Sequence, residues 1–256
     1  MFDFRLGLSL AAVSIIATMT VASAAEIKVL DANALTNAMK ELATDFTKET
    51  GNQVIFTGVS PGQVEQRIKA GEVYDLVITA TASSAAFEKE GRWLPGTRYP
   101  LARVGIGVAV RDGVKVDLST VESTRKLLLD AKTITYSDSS TGGLSGINAQ
   151  KVLANLGLTD AVKAKTRLSG ALADGQALIA KGEIDLGLFN VSEIPRAPGV
   201  VRAGPVPEAV QVYINYDSAV PATNTSPEAA LALLKYFHRP AARAVWEKAG
   251  LEVVGD

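Results

Sequence analysis

Three short apolar stretches, separated by helix-patterned segments, set the strongest constraint on how this chain can fold. Glu26 to Asp31 (EIKVLD) and Gln53 to Thr57 read as strands. Asp75 to Ala80 (DLVITA) is a near-continuous apolar strand, the kind found in sheets covered on both faces. Between the first two, Leu35, Ala38, Met39, Leu42 and Phe46 recur at helical spacing, with Lys40, Glu41, Asp45 and Lys48 on the opposite side. Gly51-Asn52 ends that helix, and Pro61 can open a second one that closes at Gly71. A β-α-β-α-β order calls for a parallel sheet with right-handed crossovers.

The pattern then repeats with different lengths. Val104 to Val110 is expected to be a strand, and Ser119 with Glu122 forms a capping box ahead of a helix carrying Leu127, Leu128 and Leu129. Thr133 to Ser137 reads as a strand, Leu144 to Leu156 as a helix, Gly175 to Ala180 as part of another, and Asp185 to Asn190 (DLGLFN) as a buried strand. Val210 to Tyr216 alternates like an extended strand. Ser226-Pro227 starts a helix with Ala230, Leu233, Leu234 and Phe237 inside, and a further helix after Pro240 carries Val245 and Trp246. With two lobes, the extended segments near Ala102 to Arg111 and Pro207 to Asp217 are the expected crossings.

The N-terminus sets the compartment. Arg5 precedes a largely apolar run from Leu6 to Val21, and Ala22-Ser23-Ala24 supplies the small residues of a cleavage site. That order predicts a secretory signal peptide over residues 1–24 and a mature chain from Ala25. Charge and composition narrow the function. The sequence has 26 basic and 27 acidic side chains and a formal charge of -1, which argues against a nucleic-acid surface. Without Cys there are no disulfides, thiolate metal sites or Cys nucleophiles. The single His, His238, leaves little room for a His metal cluster or a Ser-His-Asp triad, and is expected to cap carbonyls or lie exposed.

Ligands of open parallel sheets bind beyond the carboxyl ends of the strands. Those ends here are rich in small polar residues: Asp31 to Ala34, Gly58 to Gly62, Thr79 to Thr81, Asp138 to Gly146, and Asn190. Hydroxyls, an amide and free backbone N–H groups at helix starts suit a small anion without a fixed cation. The same residue types serve as caps and turns, but the Ser/Gly-rich stretch from 137 to 146 has more of them than a cap requires. It lacks the Gly-Lys-Ser/Thr of a phosphate-binding loop, and Leu144-Ser145-Gly146 is not a nucleophile elbow. Arg167 is the best cationic candidate, while Tyr213 and Tyr216 are expected to pack or lie at a lobe boundary.

These residues carry a resemblance. The run Val29 to Met39 followed by Ala43 and Phe46 resembles the start of periplasmic molybdate-binding proteins of ABC importers. The match continues through Gln66, Ile68, Gly71 and Asp75 to Ala80, then Ser145-Gly146-Ile147, Ala149, Leu153, Leu156-Gly157 and Gly182 to Gly187. The resemblance implies a type II periplasmic binding protein fold, with two α/β lobes and a ligand cleft between them. It places lobe I at 25–107 and 217–256 and lobe II at 108–216. It also implies a non-enzymatic role as the periplasmic substrate-binding component of an importer. That role has no cofactor, no cation-ligating metal site and a monomeric state, and its partners are an inner-membrane permease and its ATPase. Carried over, the ligand-binding positions are Asn33, Ala34, Ser60, Ser145, Leu172 and Asn190, with Ser139 and Ser140 as compensating donors. The expected ligand is molybdate or tungstate. The chain has Ala34, Thr81 and Asn190 where the family usually has Ser, an acidic residue and Tyr, so a small organic acid is the alternative ligand. An exported hydrolase is the alternative class, without a visible nucleophile-base pair.

Overall fold

The computed structural model describes residues 24–141, 143–194 and 198–255. The expected signal peptide therefore lies, apart from Ala24, outside the described residues. No helix among the described residues is long and apolar enough to cross a membrane. The first part of the chain forms β1 (Glu26–Ala32), α1 (Thr36–Thr50), β2 (Gln53–Val59), α2 (Pro61–Lys69), β3 (Leu76–Ala80), α3 (Thr81–Lys89) and β4 (Tyr99–Val104). The middle forms β5 (Ile106–Arg111), α4 (Val121–Asp130), β6 (Ile134–Ser137), α5 (Leu144–Asn155), α6 (Thr159–Lys163), β7 (Thr166–Ser169), α7 (Leu172–Lys181), β8 (Leu186–Asn190) and β9 (Val200–Pro205). The chain then returns through β10 (Ile214–Ala219), α8 (Glu228–Phe237), α9 (Arg243–Lys248) and β11 (Glu252–Val253).

These elements build a two-lobed α/β protein on two sheets. The first has strand order β11-β4-β10-β3-β1-β2, and the second β7-β6-β8-β5-β9. The β-α-β-α-β opening gives the expected parallel core, with β1 between β2 and β3. The sheets are mixed rather than purely parallel, because β10 runs antiparallel to β3 and β4, and β5 antiparallel to β8 and β9. Each sheet is covered on both faces, which explains why β3 and β8 are buried along their whole length. On the first sheet, Met39, Leu42 and Phe46 of α1 pack with Leu233, Phe237 and Trp246, while Val64, Ile68, Phe87 and Trp93 cover the other face. On the second, Leu128, Val152 and Leu153 lie on one side and Ile179, Phe189 and Ile194 on the other.

The chain changes sheet at Gly105, between β4 and β5, and returns between Pro205 and Ile214. Both changes fall shortly before the lobe boundaries expected at 107 and 216, so Ile106 and Gly107 pair in the second sheet and Ile214 to Tyr216 in the first. The two crossings are tied together. Ile106 N donates to Gln211 Oε1 at 2.7 Å, and Gln211 Nε2 donates back to Ile106 O at 2.9 Å. Gly105 must be small here, since a Cβ would lie 2.7 Å from the Gln211 amide. Its carbonyl accepts from Val191 N at 3.0 Å.

Several local expectations are corrected. The capping box of α4 is built by Thr120 and Ser123, one position past Ser119 and Glu122; Ser119 bonds Asp117 instead. The strand expected over Val210 to Tyr216 starts only at Ile214 and runs to Ala219, because Glu208–Val210 forms a single 3-10 turn. The single strand expected at Val104 to Val110 is two strands in different sheets. His238 behaves as expected, with ring nitrogens 2.8 Å from Leu234 O and 3.0 Å from Pro100 O.

Gly146, in the first turn of α5, fixes how that helix meets β6. A Cβ there would overlap the Ser137 carbonyl oxygen, a backbone atom that cannot swing away. Gly146→Ala is therefore expected to cost about 1–3 kcal/mol, read as a lower melting temperature. An unchanged melting temperature would show that α5 can shift without cost.

Candidate functional site

The carboxyl ends of β1 and β2 face those of β6 and β8 across a cavity of about 400 Å³, lined from both lobes. Three helices begin on its wall: α2 at Ser60-Pro61, α5 at Gly143 to Ser145, and α7 at Ala171-Leu172. The first four N–H groups of any helix lack intrahelical partners, and the helix start carries partial positive charge. The start of α2 is closed by its own residues. Ser60 Oγ accepts from Gln63 N, and Gln63 Oε1 accepts from Ser60 N at 3.0 Å. The starts of α5 and α7 have no capping side chain on Gly143 or Ala171, although Ser169 Oγ accepts from Gly175 N at 3.0 Å within the first turn of α7.

Of the residues expected to bind ligand, Asn33, Ser60, Ser145, Leu172 and Asn190 are brought together on this wall. Ala34 is not. It is buried in the first lobe's core, in the turn that leads into α1. Ser139 and Ser140 are also off the wall, because they form a 3-10 turn in which Asp138 Oδ1 accepts from Ser140 N at 2.9 Å. Arg167 is exposed on the edge strand β7 and does not line the cavity. The residues not anticipated as ligand contacts include Gln63, Glu193, Ile214 and Tyr216. Nothing in a Val-Ser-Glu sequence after a strand marks Glu193 as buried; only the turn following β8 tucks it inward.

Ser145 has a double position. Its Oγ accepts from Asn190 N at 3.2 Å, which ties the start of α5 to the end of β8. Asn190 in turn donates from Nδ2 to Glu193 Oε2 at 2.8 Å, and Gln176 Nε2 donates to Glu193 O at 3.0 Å. The carboxylate fixes the amide orientation, since reversing Asn190 would set oxygen against oxygen. Glu193 is the one charged side chain among the described residues of the wall, and no described Lys, Arg or His lines it. No cluster of three or more metal-ligating side chains occurs among the described residues. The arrangement can receive a small solute through hydroxyl, amide and backbone groups.

Behind the first-lobe wall lies a second buried carboxyl. Gly58 lines the cavity, and a Cβ on it would sit 2.6 Å from Thr36 Oγ1 and 3.5 Å from Asp31 Oδ2. Thr36 Oγ1 donates to Asp31 Oδ2, and Asp31 Oδ1 has no hydrogen-bond partner. Burial pushes the Asp31 pKa up to about 6, against the smaller opposing pull of Thr36 and Lys40.

The comparisons agree with this architecture. The family model for bacterial extracellular solute-binding proteins matches residues 27–252. An aconitate isomerase from a Pseudomonas species is 30% identical over 88% of this chain and 87% of its own length. The molybdate-binding protein ModA of Azotobacter vinelandii is 29% identical over 88% of each chain. Among solved structures, the periplasmic molybdate-binding protein of Azotobacter vinelandii superposes with a TM-score of 0.72 at 23% identity, covering 90% of this chain and 99% of that one.

The Asp31 carboxyl generates a pH test. A carboxyl whose folded-state pKa lies above its unfolded value contributes stability that is complete below the unfolded value, near pH 4, and is lost as pH rises through about 6. The loss is about 2–3 kcal/mol. Asp31→Asn removes it, so the melting temperature of the variant relative to wild type should rise between pH 4 and pH 8. A constant difference across that range would place the Asp31 pKa in the ordinary carboxylate range.

Proposed function

This chain belongs to the family of bacterial extracellular solute-binding proteins, and we propose that it is the substrate-binding component of an ABC importer for a small oxyanion, with molybdate or tungstate as the expected ligand. The observation that carries this reading is the cavity itself. The starts of α5 and α7, whose N-cap residues Gly143 and Ala171 carry no capping side chain, meet there with the Ser60 and Ser145 hydroxyls and the Asn33 amide, and no described cationic side chain is present. Neutral donors and helix starts stabilise an anion while leaving it free to exchange. In this reading the protein works in the periplasm, reached through the signal peptide of residues 1–24. Lobe I comprises residues 25–104 and 214–256, and lobe II the segment between. Ligand closes the cleft by bending at the Gly105 crossing and at the return crossing before Ile214.

A small organic acid is the second reading, favoured by the size of the cavity. About 400 Å³ lies within the roughly 300–1,000 Å³ of small-molecule sites, and is more room than four oxygens around one atom need. The relative named aconitate isomerase adds a carboxylic acid to the compounds to be tested and makes turnover an outcome to be measured.

Thermal-shift measurement on the mature chain with molybdate, tungstate, sulfate, phosphate, citrate and cis- and trans-aconitate separates these readings. Ligand at about 100 times its Kd stabilises by roughly 2.7 kcal/mol. A shift with molybdate or tungstate supports the first reading, and a shift with carboxylates alone moves the assignment to the second. Interconversion of the aconitates by the purified protein would overturn the non-enzymatic role. With a ligand in hand, Ser145→Ala is expected to weaken binding and also to lower stability by about 1–3 kcal/mol, because the buried Asn190 N–H loses its acceptor. Ser60→Ala should cost about 1 kcal/mol of stability through the lost cap of α2.

A further inference from the structure

Tyr216 is the buried tyrosine that lines this cavity; Tyr136, buried elsewhere, likewise makes no hydrogen bond to a described residue. Tyr216 comes from β10, just after the return crossing, and its side chain is 1% exposed yet forms part of the cavity wall. Tyr74 and Tyr236 are also buried, and their hydroxyls are engaged by protein: Tyr74 donates to Glu72 at 2.7 Å and Tyr236 to Glu49 at 2.6 Å. The Tyr216 hydroxyl makes no hydrogen bond to any described residue. Burial raises its pKa, and the negative charge of Glu193 raises it further. Glu193 and Asn190, contributed by the other lobe, line the same cavity as the ring. A phenol in these surroundings keeps its proton throughout the physiological range and can act only as a neutral donor or acceptor.

The ring is buried, but its hydroxyl oxygen is not among the fully enclosed polar atoms, so it opens on the cavity. With no partner among the described residues, its remaining opportunity is a group that enters the cavity. We infer that the Tyr216 hydroxyl is a ligand-contacting hydrogen-bond donor, the first lobe's counterpart to Ser145 of the second. This rests on the reading of the cavity as an anion site. The group it would engage is an oxygen of the ligand, whether a tetraoxyanion or a carboxylate. Because β10 follows directly from the return crossing, this donor also ties ligand occupancy to the crossing.

The test uses the mature chain as wild type, Tyr216→Phe and Tyr236→Phe, with calorimetric titration of whichever of molybdate, tungstate, citrate or aconitate shifts the wild-type melting temperature. Tyr216→Phe is expected to melt at the wild-type temperature or above it without ligand, while binding the probe about 10- to 100-fold more weakly, the worth of one hydrogen bond to a charged group. Tyr236→Phe should do the reverse, melting lower with affinity unchanged. Undiminished affinity in Tyr216→Phe overturns the inference. So does a lowered melting temperature without ligand, since the hydroxyl would then have a structural partner. If no probe shifts the wild type, the anion reading fails on its own. The ligand-free comparison still decides: an unchanged or raised melting temperature supports a donor kept for a different solute, and a lowered one overturns it.

Discussion

The side chain of Gln211 bonds the backbone of Ile106 on both sides, through its carbonyl oxygen and its amide nitrogen. With that pair of bonds, the two places where the chain passes between sheets are held as one unit. Everything about the cavity depends on this. The first lobe's Ser60 and Tyr216 and the second lobe's Ser145 and Asn190 share a wall only because the crossings fix how the sheets face each other. Gly105 belongs to the same device, since a side chain there would displace the Gln211 amide. Val191 of the second lobe also packs into the first lobe's core, so the amide bridge and this contact together join the two.

Within that geometry the cavity is electrostatically uneven. Helix starts supply partial positive charge from the second lobe, and Glu193 supplies a full negative charge beside them. A second carboxyl, Asp31, lies behind Gly58 on the first lobe, where burial favours its neutral form. The wall is thus a mixture of backbone dipoles and carboxyl groups. It differs from a site built on a guanidinium clamp, where the cation alone decides the sign.

Much of this was legible in the residues. The periodicity of Leu35 to Phe46 and the continuous apolar run DLVITA define α1 and β3, because both report burial directly. Asn33, Ser60, Ser145 and Asn190 could be placed near one another since all lie at the strand ends where open sheets bind ligand, whereas Leu172 was reached only through the family resemblance. Other features were not legible, for physical reasons. Val104 to Val110 reads as one apolar run, and only hydrogen-bond pairing divides it at Gly105 into strands of different sheets. Ser139 and Ser140 have the composition of a binding loop but spend it on their own turn around Asp138. Ala34 shows that a position next to a contact can be directed into the core by the first turn of a helix. Glu193 and Tyr216 escaped because their inward placement is set by partners remote in sequence.

The sheets also differ in how much of the chain each must wait for. Every strand of the second sheet lies between Ile106 and Pro205, so it can close as soon as that contiguous segment is available. The first sheet places β10 between β3 and β4, and β11 beside β4 at its edge, both drawn from after Ile214. Its central ladder stays open until nearly the last residues arrive. Loop closure over such a separation slows non-local strand pairing. For a chain delivered from its N-terminus, the lobe that starts the sequence is the one completed last. Until then, the apolar edge of β3 must wait uncovered for its partner.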